Sequence, residues 1–164
     1  MAQPLKFLII HCTATPEGRE VTSSLIRQWH TAPPPAGRGW KQVGYSKMIH
    51  VTGIIETLVP SNNDQVVDPW EITNGVAGYN SISEHIVYVG GMDKDNKAPK
   101  DTLNLNQQTA LKTELLDQIA KHPKILIGGH NQFDRKACPS FDVPTLLRKF
   151  GIQEKYINTT IYYK

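Results

Sequence analysis

Two histidines and one cysteine, far apart in the chain, carry the strongest chemical signal. His11 closes the apolar run Phe7-Leu8-Ile9-Ile10, and His130 follows Ile125-Leu126-Ile127-Gly128-Gly129. Both runs read as short buried strands, so both imidazoles fall at strand ends, where neighbouring strands can bring side chains to one rim of a sheet. Further on comes Cys138, within Lys136-Ala137-Cys138-Pro139-Ser140-Phe141-Asp142. Two imidazoles and a thiolate make three zinc ligands, and a fourth position left to water is the pattern of a catalytic site. Zinc lowers the pKa of such a water to about 7, which provides a nucleophile at neutral pH. The competing reading is structural. The chain has six histidines, so trios of this kind arise by chance, and a histidine at a strand end commonly does no more than hydrogen-bond within the fold.

The elements that must position these residues follow from hydrophobic pattern and turn signals. Leu5 to Ile10 reads as a buried strand, and Thr22 or Ser23 caps a helix running to about His30. The stretch Pro33-Pro34-Pro35-Ala36-Gly37-Arg38-Gly39 reads as a loop. Tyr45 to Val51 and Gly53 to Val59 form a hairpin turning near Thr52-Gly53. Residues 60–83 are rich in Asn, Asp, Gly, Ser and Pro, and an irregular segment of that length points to a functional loop. His85 to Val89 is a strand closed by Gly90-Gly91. Asn106 caps a helix to about Lys121, with Leu111, Leu115 and Ile119 on one face, and Pro123 bars its continuation. Lys124 to Ile127 is a further strand, and a last helix runs from Asp142 to just before Gly151. The tail from Tyr156 to Tyr163 has strand propensity. Strands and helices interleave around a hairpin. The expected fold class is therefore α/β (mixed α+β): a single domain, residues 1–164, with a central mixed β-sheet flanked by helices.

Composition narrows the function. A chain of 164 residues can bury about 68–70% of its extended surface in one core. It is 39% hydrophobic and 20% charged, which excludes wholesale disorder. The net charge of +3 is too small to argue for a nucleic-acid partner. Two cysteines exclude a disulfide-dense scaffold. No apolar run approaches the roughly 20 residues of a membrane span, so no membrane insertion is expected. The first residues lack the features of a secretory signal, which leads to an expectation of cytoplasmic synthesis. There is no GxGxxG, phosphate loop or GxSxG motif.

Several strings occur in a telling order: Ile10-His11-Cys12-Thr13-Ala14-Thr15, then Gly39-Trp40 to Gly44-Tyr45, then Gly90-Gly91, then Gly129-His130 through Phe141-Asp142. Together they resemble the zinc-dependent N-acetylmuramoyl-L-alanine amidases, above all the small phage endolysin-type amidases, which are related to peptidoglycan recognition proteins. The resemblance spans residues 5–150 and leaves the placement of residues 151–164 open. It implies hydrolysis of the amide joining N-acetylmuramic acid to L-alanine in peptidoglycan. It places Zn2+ on His11, His130 and Cys138, and it assigns Tyr45 and Lys136 to catalysis. Amide hydrolysis needs an activated water and a stabiliser for the developing oxyanion, roles that suit a tyrosine and a lysine beside the metal. Trp40, Tyr79 and Asn80 are candidate substrate contacts, with Trp70 as a further loop aromatic. A monomer acting on the cell wall is expected; a phage lysis enzyme released through a holin-type membrane lesion is one reading of its setting, and a bacterial or prophage-derived cytoplasmic protein is the other. Two other readings stay open: a non-catalytic peptidoglycan-binding module on the same scaffold, and a Cys–His amide hydrolase with Cys138 as nucleophile.

The chain also departs from the pattern. Ser46 follows Gly44-Tyr45 where many relatives carry His, Gly75 stands where some have a groove-lining His, and Glu84-His85 replaces a common Ile-Gly. Cys12 should point away from His11 as a buried small hydrophobe, although a Cys12–Cys138 disulfide would consume a ligand. His50 should lie opposite Tyr45 in a structural role, and His85 reads as structural with reach to the site left open. His30 and His122 fall near helix C-termini, where positive charge is favourable. Asn158-Thr159-Thr160 fits a glycosylation acceptor by pattern alone.

Overall fold

In chain order, the elements are β1 (Gln3–Pro4), β2 (Phe7–Cys12), β3 (Thr15–Pro16), α1 (Ser23–Thr31), β4 (Lys47–Ile49), β5 (Ile55–Thr57), β6 (Val66–Val67), β7 (Ser83–Tyr88), β8 (Gly91–Met92), α2 (Leu105–Lys121), β9 (Leu126–Gly129) and α3 (Val143–Lys149). They come from a computed structural model that describes residues 1–163. The central sheet has the order β5-β4-β7-β2-β9. Strands β4, β7, β2 and β9 run parallel, and β5 pairs antiparallel with β4 at one edge. This is the mixed sheet that interleaved strands and helices predict. Two short ladders, β1 with β6 and β3 with β8, lie outside it.

All six residues of β2 are buried, because both faces of the sheet are covered. Leu8, Ile10 and Cys12 face one layer, where Ile86, Tyr88 and Ile127 of the neighbouring strands meet Leu111 and Leu115 of α2 and Leu147 of α3. Cys12 is thus the buried small hydrophobe expected. Phe7 and Ile9 face the other layer, with Val76 and Phe133. On that side Met48 and Val87 pack with Ile26 of α1. Alternation puts His11 on this second face.

Local chemistry sets the helix ends. The Thr22 hydroxyl accepts from Leu25 N at 3.2 Å and starts α1 as expected. The Asp142 carboxylate accepts from Thr145 N at 3.0 Å and starts α3. Helix α2 begins earlier than Asn106 would allow. Asn104 accepts from Gln107 N at 2.9 Å, and the Gln107 side chain accepts from Asn104 N at 3.1 Å. This reciprocal box satisfies two orphan donors, which Asn106 has no partner to match.

Strand limits shift in the same way. β2 continues through His11 and Cys12 because β7 pairs with it along that length. β9 takes in Gly128 and Gly129. The hairpin is shorter than expected, with only 47–49 and 55–57 paired. Residues 60–83 contain β6 and two 3-10 turns. The tail is not a strand: it holds a 3-10 turn at Glu154–Tyr156 and a single bridge from Ile157 to Ile127. Asn158 is buried there and its amide donates to Thr160 O at 3.0 Å, so the glycosylation triplet is closed off.

His50 sits in the structural role expected of it. Its two ring nitrogens lie 2.9 Å from Glu20 Oε1 and 2.8 Å from Glu56 Oε1. Partial burial opposes the charged ring, but the two carboxylates outweigh it and the pKa is raised. The folded chain therefore holds this proton more tightly than the unfolded one. The contribution is full below the unfolded histidine value of about 6.5 and fades as pH rises through the folded value. Denaturant titrations between pH 5 and 8 should show that His50→Gln loses stability relative to the parent at the acidic end, with the difference shrinking toward pH 8.

Candidate metal centre and active site

The sheet order explains how distant residues meet. β2 lies between β7 and β9, and all three run parallel, so their carboxyl ends share one rim, where open α/β sheets commonly bind ligands. His11 lies near the end of β2. His130 opens the 3-10 turn His130–Gln132 directly after β9. A Cβ on Gly129 would come within 2.6 Å of Val143 Cγ2, so the glycine lets the chain pass close to α3 just before His130. Cys138 sits on the loop between β9 and α3. Three bonds fix that loop: Tyr88 Oη donates to Pro139 O at 2.7 Å, Ser140 Oγ to Gly91 O at 2.8 Å, and Asn131 Nδ2 to Phe141 O at 3.1 Å.

The result is a convergence of donors. One ligand atom each from His11, His130 and Cys138 lies within 4.8 Å of the others. His11 Nδ1 is 3.8 Å from Cys138 Sγ. Zinc bonds of about 2.0–2.1 Å to nitrogen and 2.3 Å to sulfur at tetrahedral angles need donors only slightly closer than this. The donor set and spacing therefore fit a zinc ion. Cys12 N donates to Cys138 Sγ at 3.2 Å, a contact that favours thiolate. Burial, followed by the neighbouring His85 and His130, holds the His11 ring well below its ordinary pKa, and burial, followed by Lys136, lowers His130. Both rings are thus held in the neutral form that a metal takes. The Cys12 sulfur, and then burial, pushes the Cys138 thiol up, so it stays protonated until a cation replaces the proton. Both cysteines are free thiols, not a disulfide.

Tyr45 and Lys136 line a cleft of about 240 Å³ together with His130, Trp40 and Arg38. The Tyr45 ring lies 5.2 Å from that of His11, and burial keeps its phenol protonated well beyond the usual range. His30 Nδ1 accepts from Gly44 N at 2.9 Å, which sets the backbone just before Tyr45. Burial, with help from Arg38, lowers the His30 pKa to about 4. His30 therefore serves as a neutral acceptor in the cleft wall, not as the helix-end positive charge its position suggested.

Other expected residues fall elsewhere. Tyr79 is not in the cleft lining. It packs against Phe133 at 4.9 Å and Phe7 at 6.2 Å between ring centroids, because the apolar end of β2 needs a cover. Asn80 acts at one remove: its Oδ1 accepts from Val76 N at 2.8 Å and holds the loop that lines the cleft. Trp70 is exposed outside the cleft. Ser46 is tied to β7, donating through both N and Oγ to His85 O at 2.8 Å. A second group, Asp64, Asp68 and Glu71, spends its carboxylates within its own loop; Glu71 accepts from Asn62 N at 2.9 Å and Asp68 N at 2.8 Å, and Asp68 from the Asn62 side-chain amide at 2.9 Å.

One residue that sequence reading left open does reach the centre. His85 Nδ1 lies 2.9 Å from His11 Nε2, the ring nitrogen turned away from Cys138. The parallel register that pairs Ile9 with His85 puts both rings on one face. Alternation within β7 alone gives no hint of that, since the neighbouring strand comes from a distant part of the chain.

Known proteins share the sequence pattern and the fold of this chain. A family model described as N-acetylmuramoyl-L-alanine amidase matches residues 1–141. An endolysin of Enterobacteria phage K11 is 34% identical over 134 residues, covering 82% of this chain and 80% of the phage protein. The Ph2119 endolysin from Thermus scotoductus MAT2119 bacteriophage Ph2119 shares the fold with a TM-score of 0.68 at 21% identity, over 93% of this chain and 88% of that one. A Drosophila peptidoglycan recognition protein SA shares it with a TM-score of 0.64 at 15% identity, over 96% and 83%. No helix among the described residues is long and apolar enough to cross a membrane. By the extent of the family match, the chain belongs to the N-acetylmuramoyl-L-alanine amidases, enzymes that hydrolyse peptidoglycan.

Proposed function

We propose that this amidase is zinc-dependent, that His11, His130 and Cys138 hold the ion, and that the bond cut joins the lactyl group of N-acetylmuramic acid to L-alanine. The observation that carries this reading is the meeting of two imidazoles and one sulfur within 4.8 Å, at the end of the cleft that Tyr45 and Lys136 line. Zinc bound there polarises a carbonyl and lowers the pKa of a water to about 7.

The chain's own residues then have separate tasks. The Tyr45 phenol, kept protonated by burial, hydrogen-bonds the attacking water and hands a proton on to the leaving amine nitrogen. The water oxygen joins the carbonyl carbon, the carbon–nitrogen bond breaks, both water protons pass to the nitrogen, and the lactyl carboxylate and the ammonium of L-alanine result. The Lys136 ammonium, at the cleft rim, donates to the carbonyl oxygen as negative charge builds on it. Trp40 offers a flat apolar wall to sugar or peptide, braced by the Arg38 guanidinium 5.2 Å above its ring. The enzyme works as a monomer on the cell wall. The Cys138-nucleophile reading leaves the second imidazole without a task, and a pure binding module needs neither Tyr45 nor Lys136 in the cleft.

Stem-peptide release from purified peptidoglycan decides among these. A strong chelator should abolish release, and added zinc should restore it. Release that survives chelation and ends on thiol alkylation would contradict the zinc reading, as would no release under any condition. Lys136→Ala should keep its zinc content by metal analysis while kcat falls about 10²–10³-fold, the usual cost of losing one oxyanion donor; unchanged kcat would remove Lys136 from the mechanism.

A further inference from the structure

We propose that His85 is the positioning residue for His11: it accepts the His11 Nε2 proton and so holds that ring in the tautomer whose Nδ1 lone pair faces Cys138 and His130. This inference rests on the zinc reading above and names what sets the geometry of one ligand.

The contact is 2.9 Å, between two side chains that are both essentially without solvent contact, His11 at 1% exposure and His85 at 0%. A neutral imidazole carries one proton and has one free nitrogen lone pair. If His11 kept its proton on Nδ1, that atom would point a hydrogen at Cys138 Sγ 3.8 Å away and could not bind a cation. A partner that accepts at Nε2 removes this alternative. Metal-ligating histidines commonly hold their second ring nitrogen in this way, with a carboxylate, a backbone carbonyl or a water as partner. Here the partner is another imidazole. A neutral one serves because it adds no charge to a centre whose sulfur becomes a thiolate when the ion binds.

The fold makes room for this ring and keeps it in place. The rings of His11 and His85 are 5.0 Å apart between centroids and tilted by 59°. A Cβ on residue 75 would stand 2.3 Å from His85 Nδ1, so Gly75 vacates the space that the ring needs. The backbone of His85 is fixed as well, since its carbonyl accepts from both Ser46 N and Ser46 Oγ at 2.8 Å. The far nitrogen, His85 Nε2, is buried with no hydrogen-bond partner among the described residues. Burying an unpaired polar atom is unfavourable, and an apolar side chain would avoid it. Among the described residues, the only polar contact of this ring is the one to His11.

The test reads zinc affinity directly, by competition between the protein and a chromogenic chelator at fixed pH, with circular dichroism as the check on folding. His85→Leu keeps the volume and removes the acceptor. It should weaken zinc binding about 10- to 100-fold, as loss of such a partner commonly does. His85→Asn places its Oδ1 near the position of Nδ1 and should bind zinc close to the unaltered chain. Gly75→Ala leaves His85 in the sequence but pushes its ring off His11, and should weaken binding like His85→Leu; it carries the decision if the Leu variant fails to fold. A folded Leu or Ala variant with unaltered affinity overturns the proposal, and so does an Asn variant as weak as the Leu one. Failure of the unaltered chain to bind zinc at all would instead overturn the zinc reading itself.

Discussion

A ligand set drawn from the two ends of a chain must face one point with unprotonated donors, inside a protein that would otherwise keep its rings apart or its thiol closed. His11 and Cys138 are 127 positions apart in sequence and 3.8 Å apart at their donor atoms. Everything near the centre serves that meeting. Burial keeps the imidazoles neutral, the backbone N–H of Cys12 supports the sulfur, and the contact to His85 engages the one His11 nitrogen that does not face it. Parallel strands are what make the arrangement possible. They bring the carboxyl ends of β2 and β9 side by side, although more than a hundred residues separate them.

The sheet also divides labour between its faces. The side carrying Leu8, Ile10 and Cys12 is filled by α2 and α3 and holds the larger part of the core. The side carrying His11 is covered by α1 and loops. Loops can stand back to leave a cleft where helices would pack shut, and the cleft opens on that side, walled by residues from the segments after α1 and before β7. The long irregular stretch 60–83 supplies part of this wall, through the backbone that Asn80 holds.

Much of this was legible in the amino-acid sequence, for identifiable reasons. His11 and His130 each end a short apolar run, so their place on a rim follows from the runs alone. The caps at Thr22 and Asp142 carry a local signal that the backbone obeys. Asn104 and Asn106 both offer a cap for α2, and the Gln three residues after Asn104, which bonds back to it, is what separates them. Tyr79 looked like a substrate contact because loop aromatics often are. It instead closes the Phe7–Phe133 cluster, a need visible only once β2 is seen to begin there. His85 and Gly75, two separate departures in sequence, are a single packing feature in space, since the ring of one occupies the room left by the other. No reading of either position by itself contains that relation.

X-ray absorption at the zinc edge of the purified protein tests the central claim most directly, because it reports the donors around the ion without reference to activity. The account predicts a four-coordinate shell with one sulfur at about 2.3 Å and nitrogen or oxygen neighbours at about 2.0–2.1 Å, two of them imidazole. A shell without sulfur, or one with several sulfurs, would contradict it.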